Sequence, residues 1–275
     1  MIRIAVAVAT ADAEPSAFVV WRGIEDSVRK AAELGYDGVE LALKTADQVD
    51  PQPFKRLLSE HGLACPCVST GQVFAALGLY FTAKDRAVRG EVLRVFRAMI
   101  DLASELGSMV NVGRARGFVE AGEPRADAER RFLDVARELA DYAEPRGVTL
   151  VLEPVNRYEI NFVNSVSEGA ALLARLGSSR FALMPDLFHM NIEDPSLGGE
   201  LERYAEQVAY VHFADSNRLA PGQGHTDFPA VLNSLRQMRY DGWISIEILP
   251  EPDPDTAARR AIEYLNPLVE EMNRG

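Results

Sequence analysis

The chain has 275 residues, 47% of them hydrophobic, and a formal net charge of −12 at pH 7. That is apolar material for a large core, at a length common for one α/β barrel. No run reaches the roughly 18 uninterrupted apolar residues of a membrane span, and so acidic a chain is a poor partner for a nucleic-acid backbone, itself an anion.

The N-terminus, MIRIAVAVATADAEP, carries one arginine and a short apolar run. Asp12 and Glu14 follow too early for a signal peptide, so it reads as a first strand and the chain is expected in the cytoplasm. Apolar, β-rich runs then recur through the chain. They are IRIAVAVA (2–9), YDGVELAL (36–43), LACPCVS (63–69), SMVNVG (108–113), VTLVLEPV (148–155), RFALMPDL (180–187), VAYVHFAD (208–215) and WISIEIL (243–249). Between them lie segments with helical spacing of apolar residues: 22–35, 47–60, 85–106, 127–143, 166–176, 199–207, 228–238 and 254–272. The first of these ends in Gly35, a residue suited to a helix C-terminus.

Eight strands alternating with eight helices predict parallel βαβ units and a (β/α)8 TIM barrel in a single domain over 1–275. A doubly wound open sheet is the competing reading. No glycine fingerprint follows the first strand, which counts against a dinucleotide fold. Cys65 and Cys67 stand two apart in ACPCVS. A disulfide between them would be strained and a zinc site needs more ligands, so both read as packing residues.

In a barrel the chemistry belongs at the C-terminal strand ends. Glu153 closes the fifth strand, Asp186 closes the sixth, His212 lies late in the seventh and Glu247 late in the eighth, at separations of 33, 26 and 35 residues. Each βα unit thus delivers one ligand type to the same rim. Converging carboxylates repel one another unless a divalent cation lies between them. Three oxygens and an imidazole suit Mn2+ first, with Mg2+, Co2+ or Zn2+ also fitting.

The segments LEPVNRYE, MPDLFHMNIED and VHFADSNRLAPGQGH, with the strand-eight glutamate, resemble the xylose-isomerase-like sugar isomerase and epimerase family. The likeness is greatest to the ketose 3-epimerases of the tagatose and psicose (allulose) type. It is detailed in the C-terminal half and mainly a barrel pattern in the N-terminal half. The resemblance implies that Glu153, Asp186, His212 and Glu247 bind one divalent metal. It implies that Glu153 and Glu247 double as acid and base on opposite faces of the sugar. It implies that Glu159, His189 and Arg218 contact substrate hydroxyls and carbonyl. Glu40 is similar to an acid found near the pocket. A homo-oligomer, dimer or tetramer, is also implied, with a small-molecule sugar as the only other partner and no nucleic acid or membrane.

Epimerisation beside a ketone requires removal of a weakly acidic C–H proton. A metal on the carbonyl and the neighbouring hydroxyl would stabilise the enediolate. One glutamate then takes a proton from one face and the other returns a proton to the opposite face. A single base would instead suit an aldose–ketose isomerase acting on hydroxypyruvate, an inosose or a sugar phosphate. A zinc-dependent DNA-repair endonuclease on a related barrel is the distant alternative. It would need more histidines than the four present. Among the remaining residues, Arg114 and Arg116 either hold a substrate phosphate or carboxylate or lie solvated on the surface. His225 in GQGHTD either joins the site or shapes its loop. The GQG backbone is a second phosphate candidate. Asn156 and Arg157 are read as loop caps and His61 as structural. Trp21, Phe74, Phe118 and Phe188 are either pocket wall or ordinary packing.

Overall fold

The computed structural model describes residues 1–15 and 17–274. Its strands are β1 (Arg3–Ala9), β2 (Trp21–Arg22), β3 (Gly38–Ala42), β4 (Cys67–Ser69), β5 (Met109–Val112), β6 (Leu150–Leu152), β7 (Phe181–Leu183), β8 (Tyr210–Phe213) and β9 (Trp243–Ile246). Every pairing is parallel, in the order β7-β6-β5-β4-β3-β1-β9-β8, with the two-residue β2 set against the end of β1. The ring closes between β7 and β8 through isolated bridges, Leu183 to Val208 and Asp186 to His212. There the Ala209 N–H donates to the Leu183 carbonyl at 3.0 Å and the His212 N–H to the Pro185 carbonyl at 2.9 Å. This is the expected TIM barrel.

The helices are α1 (Ile24–Leu34), α2 (Pro51–His61), α3 (Gly71–Leu77), α4 (Arg86–Leu106), α5 (Arg125–Ala143), α6 (Val166–Leu176), α7 (Leu187–Glu193), α8 (Leu197–Arg203), α9 (Phe228–Gln237) and α10 (Pro254–Arg274). None is long and apolar enough to cross a membrane. Asp50, Asp85, Ser165, Asp186, Ser196 and Asp227 each accept a backbone N–H at a helix start, which satisfies otherwise unpaired donors. Two of the helices were not predicted. α3 occupies a stretch left between units, and α7 begins inside the apolar run 180–187. Pro185 and the N-cap carboxylate of Asp186, which accepts from the Phe188 N–H at 2.8 Å, turn that run from strand into helix. The predicted helix 199–207 divides into α8 and a 3-10 turn at Ala205–Gln207. His61 is the last residue of α2.

Side chains alternate faces along a strand, and the barrel sorts them accordingly. One face packs against the helices in the main core, where Val6, Leu41, Val110, Leu152, Val211 and Ile246 lie. The other face turns inward. Ala5, Cys67, Val151, Met184, Tyr210 and Trp243 make one layer inside the barrel. Both cysteines are free and buried, as packing residues are. Gly38 is required in this layer, because a Cβ there would lie 2.6 Å from the Ala64 carbonyl and against the Trp243 ring. Two residues beyond Val151, Met184 and Tyr210, the same inward face presents Glu153, Asp186 and His212. Along β9 it runs Trp243, Ser245 and Glu247.

Candidate metal centre and substrate pocket

Strand parity therefore carries four ligand side chains to one point. Glu153, Asp186, His212 and Glu247 each offer an atom lying within 4.8 Å of the others. His212 Nδ1 stands 3.3 Å from Glu153 Oε1, 3.4 Å from Glu247 Oε2 and 3.7 Å from Asp186 Oδ2. Glu153 and Glu247 directly follow their strands. Asp186 does not close its strand as expected; it lies three residues beyond β7, where it caps α7 and bridges to His212.

The imidazole of His212 is oriented from behind. Its Nε2 meets both oxygens of Glu40 at 3.1 Å, and the Tyr210 hydroxyl donates to Glu40 at 3.0 Å. A carboxylate only accepts, so Nε2 carries the hydrogen and Nδ1 is turned to the three carboxylates. That Nδ1 is buried and has no hydrogen-bond partner among the described residues. An unpaired imidazole nitrogen facing three converging carboxylates is what a cation site requires. Burial favours neutral His212, but the negative field of Glu40 and Glu247, with Asp186 and Glu153 close to the ring, overcomes it and raises the affinity for a proton well above the ordinary range. The donor set thus fits one divalent cation. Glu40, expected near the pocket, lies wholly buried behind His212 instead.

Arg218 compensates part of the charge. It donates from Nη1 to Asp186 Oδ2 at 2.7 Å and from Nη2 to Glu247 Oε2. Burial opposes ionisation of Asp186, yet Arg218 and the two histidines hold its carboxyl well below the usual range. The guanidinium lies between the rings of Phe18 and Phe188, 4.6 and 4.9 Å from their centroids. Its backbone takes φ 64°, which needs local support. Asp215 supplies it: its buried carboxylate accepts N–H groups from Ser216, Gly222, Gly224 and Thr226 at 2.7 to 3.0 Å. The Leu249 N–H reaches the Arg218 carbonyl at 2.8 Å.

On the other side, Glu153 Oε2 accepts from Asn111 Nδ2 at 3.1 Å. Gly113 leaves room for this pair, since a Cβ would sit 2.8 Å from Glu153 Oε2. Asn156 does more than cap its loop. Its Nδ2 reaches Glu159 at 3.2 Å and His189 Nδ1 at 2.8 Å. Nδ1 of His189 therefore accepts and Nε2 keeps the hydrogen. Burial lowers the His189 pKa to about 4, so the ring is neutral at pH 7. Burial raises that of Glu159.

A cleft open at its mouth is bounded by Glu153, Glu159, His189, Arg218, Glu247 and Arg114, with Phe18 and Ala42 among its apolar walls. Other expected residues lie elsewhere. His225 is exposed and bonds Ser216 Oγ at 3.0 Å, shaping the loop after β8. Arg116 is neither surface nor ligand site. It is fully buried and donates to the carbonyls of Gly113, Phe162 and Val163. Arg157 pairs with Glu193. Trp21 packs in the main core, its indole N–H on Asp255 at 2.8 Å. Phe74 and Phe188 stand behind arginines, and Phe118 stacks on Tyr80. Asn111, Asp215 and Phe18 were not foreseen. Asn111 follows from strand parity alone; the other two depend on loop shape.

With this geometry in view, residues 28–268 match the family described as xylose isomerase-like TIM barrel. The chain belongs to that family. The L-ribulose 3-epimerase of Methylomonas sp. is 32% identical over 231 residues, covering 82% of this chain and 78% of its own. The 3-dehydro-D-guloside 4-epimerase of Escherichia coli is 27% identical over 252 residues, 88% of this chain and 94% of its own. A solved L-ribulose 3-epimerase superposes with a TM-score of 0.85 at 24% identity, over 100% of this chain and 96% of that one. These relatives are named epimerases, which are isomerases acting on carbohydrates.

Proposed function

We propose that this protein is a divalent-metal-dependent ketose 3-epimerase in which Glu153 and Glu247 carry the protons. The supporting observation is the pair of carboxylates on either side of His212 Nδ1, at 3.3 and 3.4 Å, both bordering one cleft. A cation held by Glu153, Asp186, His212 and Glu247, Mn2+ in the first instance, would withdraw charge from a substrate carbonyl and so acidify the adjacent C–H. Each glutamate has one oxygen held by a neighbouring donor. Glu247 Oε2 is held by Arg218 and Glu153 Oε2 by Asn111. The fixed carboxylates keep their positions while a proton leaves one face of C3 and returns to the other. General acid–base help of this kind contributes about 10²–10⁴-fold. Glu159, the Nε2–H of His189 and Arg218, all bordering the cleft, would hold hydroxyls and keep the open-chain carbons in register.

The test is proton exchange followed by NMR in D2O, with Mn2+ and a panel of fructose, psicose, tagatose and ribulose. Deuterium at C3 with the C3 epimer as product is the expected result, lost in E153Q and in E247Q. Label at C1 or C2 would replace this reading with aldose–ketose isomerisation. The E. coli relative, matched over nearly its whole length, gives a second reading in which a 3-keto sugar is epimerised at C4. Label at C4 of a 3-keto glycoside and none in the ketoses would establish it.

A further inference from the structure

Two arginines reach the cleft, and they differ in how they are satisfied. Arg218 has a carboxylate on each of two nitrogens. The guanidinium of Arg114, in the 3-10 turn after β5, has no carboxylate within 4.0 Å and no hydrogen-bond partner among the described residues. It is half-buried, with its guanidinium 5.9 Å above the Phe74 ring, and Phe74 in turn packs edge-on against Tyr80 and Phe118. The side chain is thus backed by an aromatic cluster and turned to a cleft whose other charged groups are mostly acids. Removing a guanidinium from water without an acceptor is unfavourable. Its fork of donors matches a carboxylate or phosphate in two parallel hydrogen bonds. Arg218 lies on the Asp186–Glu247 side, whereas Arg114 lies above the Glu153 side with the aromatic rim. Arg114 borders the same cleft as Glu153 and Glu247.

We infer that the substrate is an anionic ketose, carrying a carboxylate or a phosphate at the end remote from the reacting carbonyl, and that Arg114 is the residue that selects it. This rests on the ketose reading above. Without Arg114, the acid-rich cleft of a chain at −12 would repel such a substrate.

The experiment compares kcat/KM of the Mn2+-loaded full chain for a free ketohexose, its terminal phosphate and the corresponding keto acid, in wild type, R114K and R114Q. At least one anionic sugar is expected to be preferred, and the anion-to-neutral ratio should fall about 10- to 100-fold in R114Q, chiefly through KM. R114K should recover part of it. The favoured anion identifies its chemistry. Equal ratios in wild type and R114Q, or a wild-type preference for the free sugar, would overturn the inference. Calorimetric binding of D-mannitol 1-phosphate, D-mannonate and D-mannitol separates this from failure of the epimerase reading. If no ketose exchanges a proton, tighter binding of an anionic probe that weakens in R114Q still supports the anion site. Binding indifferent to R114Q removes it.

Discussion

Glu40 touches no substrate space, yet it decides which nitrogen of His212 faces the ligands. Carboxylates that orient a ligating histidine are worth about 10–100-fold in metal affinity. E40Q keeps the volume and loses the charge, so its Mn2+ dissociation constant should rise by roughly that factor in a calorimetric titration, with circular dichroism unchanged. An unaltered constant would reduce Glu40 to a core residue. This role was not legible in the sequence: Glu40 and His212 lie 172 residues apart, and only barrel closure joins them. The convergence of Glu153, Asp186, His212 and Glu247 was legible. Each is the inward member of an alternating strand or its continuation, and an acid or histidine in such a run has few reasons to be there.

Among the elements, the loop after β8 is built on one carboxylate. Asp215 gathers four N–H groups, and Gly224 is needed because a Cβ would stand 2.4 Å from Asp215 Oδ1. D215A should cost about 3 kcal/mol of stability by urea denaturation and lower kcat/KM by about 100-fold through a displaced Arg218. Unchanged amide exchange over 216–226 would contradict it. Sequence reading left His225 in GQGH open between the site and the shaping of this loop, because turn hydrogen bonding leaves no periodic trace. The C-terminus of α7 offers a pH test. Asp194 accepts the Val166 N–H at 3.2 Å, and burial, with Glu200, Glu193 and Glu168 nearby, pushes its pKa up to about 7. The folded state then binds a proton that the unfolded chain releases near pH 4. The stabilising contribution is complete below that value and is lost as pH rises through about 7. Urea midpoints of wild type should therefore fall between pH 5 and 8 more steeply than those of D194N. Parallel profiles would refute the assignment.

At the scale of the whole molecule, the (β/α)8 architecture was readable because each unit repeats the same apolar strand and amphipathic helix. What escaped were the departures from repetition. β2 is two residues long, and α7 begins where Asp186 caps it, so local capping overrode an apolar run. Adding Mn2+ to stripped protein should raise the melting temperature, since a ligand bound only by the folded state stabilises it by about 2.7 kcal/mol at a concentration 100 times its dissociation constant. Chelator should reverse the rise. No rise at any Mn2+ concentration would speak against a cation at these four residues. The same four residues straddle the joint of the ring. Seven strand-to-strand seams are regular ladders, while the eighth, between β7 and β8, is stitched by isolated bridges, one of them Asp186 to His212. Both partners of that stitch are also proposed to grip the ion. Occupancy and closure are then one equilibrium, and the backbone amide of His212 becomes a gauge of loading: slow to exchange when the ion rivets the seam, faster when it is withdrawn.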